Sequence, residues 1–294
     1  MTKILPSFAA LRWAAENAGS EASARVVRHL AGGTHAITHL LETERPARHM
    51  VLRRYPAGDD AAAREAAILK ALDGLDGWAP KLIDVDPVGR RTGEPSILIT
   101  RVPGRADITS MSPARAAEQL GRVLARIHAV PLARFSRLRD GMVAVPPSAT
   151  GQVPAAVLAA DGHRLRAEEA VLTHYDYWSG NVLWDNQTIA GIVDWSGASR
   201  APRGFDVSWC RLDLVLLHGD AAAEIFLASY QQAARIAVPD IALWDLFALT
   251  NAYSTVETWQ PNYASLGRAD LTAADLRTRH TAWTHKCLTR YQQA

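Results

Sequence analysis

Short apolar runs separated by turn residues dominate the first third of the chain. Arg25-Val26-Val27-Arg28-His29-Leu30, Ile37-Thr38-His39-Leu40-Leu41 and Met50-Val51-Leu52-Arg53-Arg54-Tyr55 each predict a strand, and a glycine turn separates the first two. Together they predict a small antiparallel sheet. Between Asp59 and Leu72 the spacing of Ile68, Leu69 and Leu72 predicts a helix, with Asp59 or Asp60 capping its start. Ser96-Ile97-Leu98-Ile99-Thr100 reads as a buried strand that runs into Val102-Pro103-Gly104.

Beyond Gly104 the periodicity becomes helical. Ala116, Leu120, Val123, Leu124 and Ile127 line one face of a helix over Pro113 to His128. From Asp206 to Ala294 the pattern is again helical, with expected interruptions at Pro239 and around Gln260-Pro261-Asn262. The other long non-helical stretch, Val171 to Trp195, predicts two short strands about an Asp185-Asn186 turn. The expected class is α+β in two lobes, with a hinge near Arg101 to Gly104. An antiparallel-sheet lobe spans 1–101 and a larger, mainly helical lobe spans 102–294.

Composition narrows the partners. Lys+Arg 32 against Asp+Glu 30 leave a formal charge of +2, with no long run of one sign, so nucleic acid is not an expected partner. Met1 to Leu30 lacks a charged n-region followed by an apolar h-region, and no apolar stretch approaches bilayer length. A cytoplasmic protein without a membrane partner is expected. Cys210 and Cys287 are far apart with no His or Cys at zinc-like spacing, so both are read as reduced and structural.

Candidate chemistry collects between Val171 and Trp195. Asp176 follows the strand-like Ala170-Val171-Leu172-Thr173, Asn181 comes five residues later, and Asp194 ends the apolar run Ile189-Ala190-Gly191-Ile192-Val193. Short oxygen side chains at such loop positions suit a hard cation that keeps several waters, and a positioned hydroxyl. Taken singly, each aspartate is more often a turn former or a helix cap. Their combined spacing argues otherwise. The apolar run into Trp195 also predicts a buried Asp194, whose carboxylate a metal would satisfy.

His174-Tyr175-Asp176-Tyr177-Trp178-Ser179-Gly180-Asn181-Val182-Leu183-Trp184, followed by Gly191-Ile192-Val193-Asp194-Trp195, resembles the paired motifs of the aminoglycoside phosphotransferase and choline kinase group. The likeness extends through Ala31-Gly32-Gly33-Thr34, Val51-Leu52-Arg53, Arg64-Glu65-Ala66, Leu124 to Pro131 and Gly204-Phe205-Asp206. It implies a protein-kinase-like fold and transfer of the γ-phosphoryl group of ATP or GTP, with Mg²⁺, to a hydroxyl of a small molecule. Asp176 is then the catalytic base, and Asn181 and Asp194 hold metal. Asp206 steadies the catalytic loop, and His174 is a structural support. Arg53 takes the strand position that faces the α- and β-phosphates, paired with Glu65. Gly32, Gly33 and Thr34 approach the phosphates, although the turn departs from the protein-kinase GxGxxG. Arg101 and Val102 offer backbone hydrogen bonds to the purine edge.

Strand alternation independently places Val51, Arg53 and Tyr55 on one face and Arg54 on the other, and helical spacing turns Glu65 toward the sheet. Trp178, Trp184, Trp195 and Trp209 are read as packing, with Trp178 set apart by its place in the loop. Tyr253, Trp259 and Tyr263 are read as core aromatics lying where the family builds its acceptor pocket, and Glu257 as either an amine contact or a surface acid. Asp245, Glu257, Asp270 and Asp275 stand among comparable numbers of basic residues. The acceptor therefore stays open between an aminoglycoside, a macrolide or other apolar antibiotic, and a metabolite alcohol. Two other readings compete: a catalytically silent nucleotide-binding protein of the same fold, and a phosphohydrolase using Asp176, Asp194 and Asp206.

Overall fold

The computed structural model describes residues 5–21, 23–30, 36–107, 109–142 and 153–293. The turn carrying Gly32, Gly33 and Thr34 lies outside the described residues. By packing, the chain forms two compact units, one of residues 1–104 with 190–196, the other of 105–189 with 197–294.

In the first unit, helix α1 (Phe8–Asn17) precedes strands β1 (Arg25–Leu30), β2 (Ile37–Glu44) and β3 (Ala47–Arg54), then α2 (Ala61–Leu72), β4 (Leu82–Asp86) and β5 (Ser96–Thr100). The strands form one antiparallel sheet in the order β1-β2-β3-β5-β4. Cross-strand register explains how its faces are shared. Leu52 stands opposite Leu98, and both join Met50 and Leu41 in a cluster with Ala10, Trp13 and Ala14 of α1. Arg53 stands opposite Ile97 and therefore faces the other side, toward Glu65 of α2, which packs on β4 and β5.

Both α1 and β4 escape the sequence pattern. Helix α1 is Ala-rich, with its N-terminus capped by Ser7, whose hydroxyl accepts from the Ala10 N–H at 3.1 Å. Strand β4 carries a bulge between Leu82 and Asp84, which breaks the period of two. At α2 the capping acceptor is Asp59, which takes the Ala61 N–H at 2.7 Å, while Asp60 occupies the cap position without a side-chain bond.

The second unit is mainly helical, as expected. It contains α3 (Pro113–His128), β6 (Arg139–Asp140), α4 (Val153–Asp161), α5 (His163–Arg166), β7 (Ala170–Thr173), β8 (Val182–Asp185), β9 (Thr188–Ile192), β10 (Ser199–Pro202), α6 (Gly204–His218), α7 (Asp220–Ala234), α8 (Ile241–Ala252), α9 (Gln260–Ser265) and α10 (Ala273–Gln293). The last residues of β9 and the segment after it pack within the first unit. Helix α6 is buried along almost its whole length and packs on α7, α8 and α10. Helices α3 and α7 approach so closely that a Cβ at Gly121 would stand 2.6 Å from the Phe226 carbonyl. The expected break around Gln260-Pro261-Asn262 falls at the start of α9, where Pro261 sits in the first turn and its missing N–H has no partner to lose.

Candidate active site

In the first unit, Arg53 is buried and bridges two carboxylates. Its Nη2 lies 2.7 Å from Asp194 Oδ1, and its Nη1 lies 3.5 Å from Glu65 Oε1. Glu65 is enclosed and also accepts the Tyr55 hydroxyl and the Trp195 backbone N–H. Burial pushes the Glu65 carboxyl up despite the Arg53 charge. For Arg53, burial works against the charge, but Glu65, Tyr55 and Asp194 outweigh it and raise the guanidinium further. A cation so fixed is a stationary positive charge, which is what phosphate neutralisation requires.

The expectation of a buried Asp194 is corrected to a partly buried one. Its side chain is 23% exposed, and Oδ1 is engaged by Arg53 and by the Ser196 hydroxyl at 2.8 Å. Its backbone takes φ +64, a left-handed conformation costly for a residue with a Cβ, of order 1 kcal/mol or more. The preceding strand end is pinned where the Ile192 N–H meets the Trp78 carbonyl at 2.7 Å. Gly191 is required there, because a Cβ would stand 2.4 Å from Val102 Cγ1. Val102 itself is half-buried and Arg101 is exposed.

In the second unit, the loop after β7 is held by Asp206 of α6. The buried carboxylate accepts the His174 N–H at 2.6 Å and the Tyr175 N–H at 2.9 Å. These bonds fix Tyr175 at φ 76. His128 Nε2 of α3 lies 3.3 Å from the same carboxylate, and burial holds its imidazole below the usual range against the pull of Asp206. The His174 side chain is fully buried with its ring edge-on to Tyr177.

Asp176 emerges half-buried between two donors. Asn181 Nδ2 donates to its Oδ2 at 3.0 Å and to its backbone carbonyl at 2.9 Å, and Trp209 Nε1 donates to Oδ1 at 3.3 Å. With its nitrogen so committed, the Asn181 amide presents its oxygen to other partners. Further along, Ser179 is bonded through both N–H and hydroxyl to buried Asp213.

Trp209, Asp213 and His128 carry no mark in the motif as partners of this loop, and Trp209, expected to pack, packs against Trp259 and also donates to Asp176. The available signal was their spacing: Trp209 and Asp213 lie three and seven residues after Asp206, on one face of one helix.

The structure also accounts for the four acids of the C-terminal region. Asp245 is buried against Arg211, with Oδ2 to Nη2 at 2.9 Å. Glu257 is bidentate with Arg277, which also lies over the Tyr253 ring. Asp270 pairs with Arg268 through two bonds of 2.8 Å, and Asp275 accepts the Thr272 N–H and hydroxyl. Each is already committed within the protein. Tyr263 is core, as read. Trp259 and Tyr253 are partly exposed, and Trp259 stands edge-on to Trp209 with ring centres 5.5 Å apart.

Each unit offers a hard oxygen donor of the kind Mg²⁺ takes: the partly accessible Asp194 carboxylate in the first and the Asn181 amide oxygen in the second. Among the described residues no group of three His, Cys, Asp or Glu forms a ready-made cage. Mg²⁺ needs none, since it takes one or two side chains together with phosphate oxygens and water.

Residues 26–244 match the model of the phosphotransferase enzyme family, APH. A curated homoserine kinase from Beijerinckia indica is 25% identical over 184 residues, which are 55% of this chain and 56% of that protein. The match thus spans little more than half of this relative. Among solved structures, an inferred aminoglycoside phosphotransferase of Ralstonia eutropha JMP134 superposes with a TM-score of 0.66 at 17% identity, covering 97% of this chain and 98% of that one. An aminoglycoside phosphotransferase APH(4)-Ia in ternary complex with ADP and hygromycin B gives 0.60 at 16%, covering 94% and 97%. A macrolide 2′-phosphotransferase of Brachybacterium faecium gives 0.55 at 19%, covering 94% and 96%. At these identities the likeness is one of fold. Among the described residues no helix is long and apolar enough to cross a membrane.

Proposed function

This chain belongs to the phosphotransferase enzyme family and is a small-molecule phosphotransferase enzyme of protein-kinase-like fold; we propose that it moves the γ-phosphoryl group of ATP or GTP, with Mg²⁺, to a hydroxyl of a small molecule in the cytoplasm. The observation that carries this reading is the state of Asp176. Its carboxylate is half-exposed, oriented by Asn181 and Trp209, in a loop anchored by Asp206.

The first unit acts as the nucleotide-binding lobe. Arg53, steadied by Glu65, neutralises the phosphates, Arg101 and Val102 meet the purine edge, and Gly32, Gly33 and Thr34 approach the phosphates. The second unit is the catalytic and acceptor-binding lobe. Asp176 orients the acceptor hydroxyl and takes its proton as the oxygen bonds to the γ-phosphorus, while the bond to the β-phosphate oxygen breaks and the nucleoside diphosphate leaves. Asn181 and Asp194 supply oxygen ligands to Mg²⁺, which neutralises phosphate charge when bound. Complexes of the APH(4)-Ia relative with ADP and with AMP-PNP support the nucleotide.

For the acceptor, an alcohol with an apolar face is favoured over a polycationic sugar. Three of the four C-terminal acids named above are already ion-paired and Asp275 is bonded to Thr272, whereas an aromatic group, the indole of Trp209, meets the Asp176 carboxylate, with Trp259 beside it. A macrolide-like antibiotic or a metabolite alcohol meets that description, and the macrolide and homoserine kinase relatives are consistent with it.

The test is transfer from ATP or GTP with Mg²⁺ across aminoglycosides, macrolides, choline, sugar amines and homoserine. Asp176→Asn should keep nucleotide binding and lower turnover by at least about 100-fold; near-normal turnover sinks the mechanism. Nucleotide binding without transfer to any acceptor identifies a silent binder, and release of inorganic phosphate from simple phosphate esters identifies a phosphohydrolase.

A further inference from the structure

Helix α6 carries two buried carboxylates, Asp206 and Asp213, seven residues apart. Seven residues turn a helix through about two full revolutions, so both face one side, roughly 10 Å apart along the axis. Asp206 grips the beginning of the catalytic loop through His174 and Tyr175. Asp213 grips its middle: Oδ2 accepts the Ser179 N–H at 3.0 Å and the Ser179 hydroxyl at 2.5 Å. Ser179 opens the 3-10 turn Ser179–Asn181 and so governs where Asn181 emerges.

A second element closes on the same point. Tyr263, from α9, lies close enough to Asp213 for its hydroxyl to interact with the carboxylate, and its ring stands edge-on to Trp178 at 6.2 Å between centres. Tyr263 and Asp213 are both enclosed. A carboxylate in such a place is costly unless it is well bonded. Burial pushes Asp213 up to about 6 against the pull of Ser179 and Tyr263, and the Asp176 charge adds to the rise. The donors that offset this cost, the Ser179 N–H and hydroxyl, both meet Oδ2, while Oδ1 has no hydrogen-bond partner among the described residues and Tyr263 acts on the carboxylate from α9.

We infer that Asp213 and Tyr263 are a positioning pair that holds Ser179 and Trp178, sets the aim of Asn181 on Asp176, and ties the reactivity of the loop to the placement of α9. The inference rests on the reading of Asp176 as the catalytic base.

Three full-length variants test it: Asp213→Ala, Asp213→Asn and Tyr263→Phe. Hydrogen exchange across residues 177–183, read by mass spectrometry, reports the grip without any acceptor. Steady-state transfer and calorimetric titration with Mg-nucleotide report its consequence. Asp213→Ala should speed exchange at the Ser179 amide and lower kcat, each by about tenfold or more, with nucleotide Kd within about twofold of wild type. Asp213→Asn retains an acceptor for Ser179 and should recover most of kcat. Tyr263→Phe keeps the ring on Trp178 and should fall between, its effect confined to kcat; it also serves if Asp213→Ala does not fold.

Unchanged exchange in both Asp213→Ala and Tyr263→Phe overturns the grip. Faster exchange with unchanged kcat overturns the positioning role. A joint fall of kcat and nucleotide affinity, shared by Asp213→Asn, also overturns it, because general loss of structure then explains the result. A wild-type protein that transfers no phosphate refutes the proposed function instead, and the exchange measurement still decides whether the pair holds the loop.

Discussion

Arg53 and Asp194 meet at 2.7 Å, in an ion pair whose second carboxylate, Glu65, is fully enclosed. A strand residue, a helix residue and the end of the Gly191 to Asp194 segment are thus joined by one guanidinium. The partners differ in what they lose if it is removed, because Asp194 reaches solvent and Glu65 does not.

Arg53→Met should therefore destabilise the fold by about 3 kcal/mol, most of it from the stranded Glu65. Adding Glu65→Gln should recover part of that loss, whereas adding Asp194→Asn should recover little. Urea denaturation of the single and double variants measures the difference, and equal recovery from the two second substitutions contradicts the assignment.

Asp213 predicts a pH dependence of stability. Its folded pKa is raised to about 6 from an ordinary 3.8, so the folded state binds more protons than the unfolded one in that interval. The stabilising contribution is full below the unfolded value and is lost as pH rises through about 6. Relative to wild type, Asp213→Asn should therefore gain stability between pH 4 and pH 7. Chemical denaturation at the two pH values checks the sign, and a constant difference refutes the shift.

Gly191→Ala places a methyl group 2.4 Å from Val102 Cγ1 and 3.1 Å from the Trp78 carbonyl oxygen. Val102 is short and the carbonyl already accepts from Ile192, so neither yields easily. A loss of about 1–3 kcal/mol is expected from such overpacking. Thermal melting with and without Mg-nucleotide would record it, together with weaker nucleotide binding as the Asp194 segment shifts.

Trp209→Phe removes the N–H that meets Asp176 Oδ1 while keeping a ring against Trp259. Turnover should fall by about fivefold to tenfold with nucleotide affinity unchanged, in line with the roughly 1 kcal/mol of one ordinary hydrogen bond, since this one is long at 3.3 Å. Trp209→Ala should in addition raise the acceptor KM. Steady-state kinetics with the acceptor found by panel separates the two effects, and a raised nucleotide KM in either variant would assign Trp209 elsewhere.

The local sequence was sufficient for several elements because their signals are local. Strand β5 and helix α3 follow from a continuous apolar run and from one apolar stripe, and the side on which Arg53 faces Glu65 follows from alternation along β3. The candidate site was legible as the spacing of Asp176 and Asn181 in the loop after β7 and of Asp194 after β9. Helix α1 and strand β4 were not, since small alanines and a bulged strand leave no clear period.

What the sequence by itself determined is membership of the phosphotransferase family, through motifs whose residues lie close together in the chain. Tertiary structure decided how those residues are held and what surrounds them. That Asp194 is shared with Arg53, that Trp209 reaches Asp176, that Asp213 and Tyr263 close on Ser179, and that the C-terminal acids are already committed all depend on contacts between segments distant in sequence. Only the packed chain sets their distance and burial, and these fix which charges are neutralised and which groups stay open to an acceptor.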